Sequence, residues 1–192
     1  AWYIAHAEFG SNLLLGNYPG LDSSNLSQIV KRGSITKWMY EISPKPQDLL
    51  LIEAGTMHSI GAGFLLLEIQ QPSDTTFRIY DWNRNGLDGK PRELHFEQAQ
   101  HAINYNRFVP PKATEKKIVG PNFSIEKITT KRTTDDTISA DSLRVLVADT
   151  KQCDIITDYG GEKRISPGEV VVLEPKDGDL FIKNGCAILI GE

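Results

Sequence analysis

The sequence predicts a mainly β fold of two related barrel-like units with a short helical insertion, and three observations carry that prediction. Short apolar runs recur along the chain at 49–52, 64–69, 76–80, 124–128, 143–147, 154–157, 170–173, 180–182 and 187–190, most of them separated by turn residues. Many short strands at such spacing belong to sandwiches and barrels. An octapeptide plan of proline, an acid two residues later, four apolar residues and a glutamate occurs at 46–53 and again at 167–174, an offset of 121 residues. A helical pattern is confined to 23–42 and to a short stretch near 97–104.

Residues 1–5, Ala-Trp-Tyr-Ile-Ala, form an apolar run suited to a sheet interior, with no leading Met or polar segment, so the chain is expected to be a truncated product. In 23–42, Ser23 or Ser24 can cap a helix whose face carries Leu26, Ile29 and Val30 and which Gly33 can end. A second short helix is expected next. Ile35, Trp38, Met39 and Ile42 fall at helical spacing before Pro44 and Pro46 forbid continuation. The organisation expected is a first barrel portion over 1–109, a Lys-rich linker over 110–121 and a second, metal-free barrel over 122–192. In the register of the repeat, His58 of the first copy faces Asp179 of the second, so only the first keeps an imidazole there.

With 192 residues, 40% hydrophobic and 24% charged, the chain can bury a real core. A net charge of -4 with no basic stripe gives no reason to expect nucleic acid or a membrane surface as partner. No apolar run approaches the roughly 20 residues that span a bilayer, and a cytoplasmic location is the default expectation. Cys153 and Cys186 belong to no CxxC pair and are expected to be core thiols.

The residues able to carry chemistry gather between Ala54 and Arg84. His58 sits among Gly55, Gly61 and Gly63, a frame that lets backbone approach a ligand closely. Alternation puts Glu68 and Gln70 on one face of their strand, as if that face were wet or lined a pocket. Asp74, Arg78 and Arg84 follow, then Lys90 and Arg92 in a polar loop. His6, His95 and His101 read as surface or packing residues.

The stretch GTMHSIGAGFLLLEIQQPSDTTFRIYDWNR at 55–84 and DGKPRELH at 88–95 closely resemble the bacterial form of the type I mannose-6-phosphate isomerases. AWYIAHAE at the start and PQDLLLIEAG at 46–55 resemble the same enzymes, so the likeness covers most of 1–109, with 122–192 similar to their last barrel. The resemblance implies cupin-type jelly-roll barrels and interconversion of mannose 6-phosphate and fructose 6-phosphate at one zinc ion. It makes His58 a metal ligand, with the remaining ligands expected upstream of Ala1 in the same protein. It makes Arg78 the active-site arginine and matches Glu68 and Asp74 to the acids of the catalytic strand and loop. The sequence departs from many relatives at Ile60, where they have tyrosine, and beyond Arg78, where the nearest cation is Arg84 rather than lysine.

Those residue types suit aldose-ketose isomerisation, which needs a base for the C1–C2 proton, a cation near the developing oxyanion and an anchor for phosphate. The sequence leaves open which of Glu68 and Asp74 carries the proton. A non-catalytic sugar-phosphate-binding cupin is the alternative, since one imidazole is far from the usual four zinc ligands. A cupin oxygenase would need clustered histidines, which the chain lacks.

Overall fold

The structure, a computed structural model, describes residues 1–73, 75–105, 116–129, 137–138, 142–157, 161–174, 177 and 179–191. The fold is mainly β, as expected. Two compact units are present: Ala1–Pro46 with Ile52–Lys112, and Gln47–Leu51 with Ala113–Glu192.

Through residue 105 the elements are β1 (Trp2–Ala7), β2 (Leu13–Leu15), α1 (Leu26–Lys31), a 3-10 turn (Ile35–Trp38), β3 (Tyr40–Ile42), β4 (Leu49–Leu50), β5 (His58–Ile60), β6 (Phe64–Glu68) and α2 (Phe96–Ala102). Of these, β4 belongs to the second unit. In the first, β1 and β6 pair antiparallel with Trp2 opposite Glu68, and β2 lies between β3 and β5 with Leu15 opposite His58. Trp2, Tyr3 and Ile4 are all but fully buried, and each side chain of that size contributes roughly 1.5–3 kcal/mol by leaving water.

The helical insertion is shorter than its pattern suggests. Asn25 is the residue before α1, and the Asp22 carboxylate accepts from the backbone N–H of Ser24 and of Asn25, so Asp22 organises the entry rather than a serine cap. The helix stops as expected. Gly33 is left-handed at φ 65°, its N–H reaches Val30 O, and the Ser34 N–H reaches Ile29 O, a Schellman closure. The second helix is a single 3-10 turn, and Tyr40–Ile42 is a strand instead, because β2 offers it a ladder that Tyr and Ile fit well. Leu21, Leu26, Ile29, Ile35, Met39 and Met57 make a core of their own, against which Ile79, Tyr80 and Phe96 pack. Residues 76–80, expected as a strand, join no sheet; that packing and backbone bonds from Arg78 to His95 hold them.

In the second unit, β7 (Lys117–Val119), β8 (Ser124–Thr129), β9 (Thr137–Ile138), β10 (Arg144–Ala148), β11 (Cys153–Thr157), β12 (Glu162–Ile165), β13 (Val170–Leu173), β14 (Leu180–Asn184) and β15 (Cys186–Gly191) form two antiparallel sheets. Their orders are β13-β10-β15-β8-β7 and β12-β11-β14-β9. Leu146, Ile155, Ile165, Ile182 and Ala187 lie in the core of this unit. The segment expected as a linker enters a strand at Lys117–Val119, and its residues 110–115 lie outside the described residues. Both cysteines are free, and burial pushes the thiol of Cys153 up to about 11 and that of Cys186 up to about 12.

The pairing pattern repeats between the units, which extends the octapeptide to whole elements. In the first, β6 pairs with β1 and β5 with β2, which also pairs with β3; in the second, β15 pairs with β10 and β14 with β11, which also pairs with β12. At the octapeptides themselves, Gln47 has φ 78° and Gly168, at the matching position, φ 77°. The same left-handed turn thus feeds both strands, with a strained glutamine in one copy and an unstrained glycine in the other.

A Cβ on Gly168 would meet nothing within 4 Å, so Gly168→Ala isolates the backbone cost. We expect it to lower stability by about 1 kcal/mol, read as a fall of roughly 2–4 °C in thermal midpoint, while Gln47→Gly leaves the midpoint unchanged or higher.

Candidate active site

The β1–β6 ladder places a polar relay on one wall of the first unit. Trp2, 1% exposed, donates its indole N–H to Glu68 Oε1 at 3.1 Å. Its ring stands edge-on to the His58 imidazole, with centroids 5.5 Å apart and planes at 78°. Trp2 thereby joins Glu68 and His58, two residues the sequence singled out, through a third it did not. The signal was present only as an apolar start to the chain, because a cross-strand partner cannot be read without the register.

His58 is exposed, and its Nδ1 lies 2.9 Å from Thr56 O. A carbonyl can only accept, so Nδ1 donates, and in the neutral ring the lone pair is on Nε2. That tautomer is what a metal-ligating imidazole needs.

The glycines around His58 have a different role from the one expected. A Cβ on Gly61 would collide with Asn12 O, and one on Gly63, at φ 85°, with Ser11 and Glu8. Gly55, at φ 83°, would meet Ala102 O at 2.7 Å, and its own carbonyl accepts from the Asn104 N–H. They admit neighbouring chain segments, and so fix the loop that carries His58.

Arg78 is placed by a residue that sequence reading assigned to packing. The Arg78 N–H donates to His95 Nδ1 at 3.3 Å and the His95 N–H donates to Arg78 O at 2.7 Å, while the guanidinium reaches Glu93 O at 3.3 Å. Gln70 donates to Ser73 O, ordering the turn after β6. Asp74, the second candidate acid, lies outside the described residues. The structure therefore joins His58 to Glu68 through Trp2, and places Arg78 in a separate clamp with Glu93 and His95.

Asp81, unassigned in the sequence, is a buried carboxylate that bonds Arg84 at 2.7 Å and faces Arg92 at 3.5 Å. The hydrogen bond from Arg84, with the charges of Arg84, Arg92 and Arg78, holds its carboxyl below the usual carboxylate range against the opposing effect of burial.

Comparison with known proteins shows what this chain is similar to. The mannose-6-phosphate isomerase of Bacillus subtilis (strain 168) is 35% identical over 102 residues, covering 53% of this chain and 32% of that protein. The Streptococcus mutans serotype c enzyme of the same name is 34% identical over 113 residues, covering 59% of this chain and 35% of its own length. The chain is a relative of the mannose-6-phosphate isomerases. No family model matches. The matched stretch spans about a third of these curated relatives.

The fold agrees over the whole chain. A crystal structure of the mannose 6-phosphate isomerase from Bacillus subtilis superposes with a TM-score of 0.80 at 22% identity, covering 100% of this chain and 63% of the other. The Salmonella typhimurium isomerase, in a structure holding fructose 6-phosphate and zinc, gives a TM-score of 0.69 at 11% identity and 65% coverage of that protein.

Zinc in proteins takes sulfur, nitrogen or oxygen ligands. Nε2 of His58, on an exposed side chain, fits one such position. Among the described residues no group of three His, Cys, Asp or Glu side chains could hold a metal by itself.

The depressed Asp81 carboxyl has a consequence for stability. Its folded value lies below that of the unfolded chain, so the contribution is complete above the ordinary carboxylate pKa of about 4 and is lost as pH falls through the folded value. We expect Asp81→Asn to lower the thermal midpoint at pH 7, and the gap from wild type to close as the melts are taken below about pH 4.

Proposed function

We propose that the protein to which this chain belongs is a zinc-dependent mannose-6-phosphate isomerase, interconverting mannose 6-phosphate and fructose 6-phosphate through an enediolate in the cytoplasm. The observation that carries the reading is the His58–Trp2–Glu68 relay, in which an imidazole in metal-ligating tautomer and a fixed carboxylate share one buried indole. This chain supplies one metal ligand, His58. The other ligands come from parts of the parent protein that the chain does not span.

Zinc, when bound, polarises and orients the sugar oxygens without redox chemistry. The chain's own residues do the rest. Glu68 has one oxygen held by Trp2, which leaves the other to take a proton at C1 or C2 of the sugar and return it. Asp74 is the second acid suited to that transfer. Arg78, its backbone clamped by His95, offers a guanidinium that binds the enediolate oxygen or the phosphate bidentately.

In the full-length zinc-loaded protein, a coupled assay for fructose 6-phosphate should show activity that disappears on complete chelation and returns with zinc. His58→Ala should lose zinc and turnover together. Arg78→Ala should keep near-normal zinc while turnover drops by about 10²–10³. Isomerase activity in protein stripped of zinc would overturn the reading.

A further inference from the structure

The loop after Arg78 folds its cations around one carboxylate. Trp82 and Asn83 take left-handed backbone, at φ 51° and 54°, and the Arg84 N–H returns to Asp81 O at 2.9 Å. That tight turn swings the Arg84 guanidinium back onto Asp81 Oδ1 and over the Trp82 ring, 5.1 Å from its centroid. A hairpin then follows, closed by the Gly86 N–H to Lys90 O at 2.7 Å and the Asn85–Pro91 bridge. The hairpin brings Arg92, eight positions further on, to Asp81 Oδ2 at 3.5 Å. The Asp81 side chain is 7% exposed, whereas those of Arg84 and Arg92 are 58% and 39% exposed.

One buried carboxylate therefore bonds one guanidinium and lies within ion-pair distance of a second, both on partly exposed side chains. A carboxylate neutralises one charge and the pair carries two, so the outward face keeps a positive excess. Non-glycine residues adopt left-handed backbone reluctantly, a strain that a loose surface turn would relax.

We propose that Asp81 is a positioning residue that holds Arg84 and Arg92 as a paired anion-binding face for the phosphate of a sugar phosphate. This deepens the isomerase reading and rests on it for the identity of the sugar. Arg92 is the distinctive member, since only the hairpin places it there. Bidentate guanidinium–phosphate geometry rewards such fixed orientation.

The test is calorimetric titration of the full chain with inorganic phosphate at pH 7, comparing wild type, Asp81→Asn, Asp81→Glu and Arg92→Gln. Simple electrostatics predicts that removing the negative charge of Asp81 tightens anion binding. Positioning predicts the opposite: Asp81→Asn and Arg92→Gln each weaken phosphate binding by about tenfold, equivalent to roughly 1.4 kcal/mol, and Asp81→Glu restores part of it. Unchanged or tighter binding in Asp81→Asn overturns the proposal. Should that variant fail to fold, Arg92→Gln decides alone, because Arg92 is partly exposed and unchanged affinity there is equally fatal.

In the zinc-loaded parent enzyme, KM for mannose 6-phosphate should rise in Arg92→Gln by more than kcat falls. A phosphate response that follows Asp81 and Arg92 in a protein without isomerase activity would overturn the isomerase reading and uphold this one. Isomerase activity with indifferent phosphate binding would do the reverse.

Discussion

The antiparallel pairing of β1 with β6 is the constraint on which the site depends. It sets Trp2 opposite Glu68, and the same ladder buries Trp2 almost completely. A buried indole N–H must find an acceptor, and the Glu68 carboxylate is the one in reach. The edge of the ring then meets His58 at the start of β5. A slip of one residue in this register would turn Trp2 to the other face and separate all three.

The glycine positions serve that constraint from outside. Gly61 and Gly63 let the β5–β6 turn lie against residues 8–12, and Gly55 lets the approach to β5 lie against the end of α2. Holding both sides of β5 leaves His58 little freedom, and the Thr56 carbonyl selects its tautomer. The cationic loop is built on another principle: a buried charge collects its partners and tolerates a strained turn to do so. Asp81 is held in its charged form by the hydrogen bond from Arg84, with Arg92 3.5 Å away on its other oxygen.

Much of the architecture was legible in the sequence, for physical reasons that differ by element. Runs such as 144–148 and 186–191 are β-branched and apolar enough to read as strands. The octapeptide repeat points to a duplication, and the pairings β1–β6 and β2–β5 recur as β10–β15 and β11–β14. The spacing of Tyr40–Ile42 fits both periods, and only the presence of β2 settles the choice for a strand. Residues 76–80 have a strand's pattern, but Ile79 and Tyr80 pack on the helical insertion rather than in a sheet. Short strands such as β2, β5 and β12 escaped notice since three or four residues carry too little pattern. At the site, His58, Glu68 and Arg78 stood out by type and spacing. Trp2, His95 and Asp81 did not, because each acts through a partner between 3 and 66 residues away.

The proposed zinc site turns on a His58 imidazole that donates at Nδ1 and coordinates through Nε2. Two-bond proton–nitrogen NMR on the zinc-loaded parent protein reads both ring nitrogens of His58 directly. The account predicts a protonated Nδ1 and a metal-bound Nε2 whose shift reverts on chelation. A His58 spectrum indifferent to zinc, or coordination through Nδ1, would contradict it.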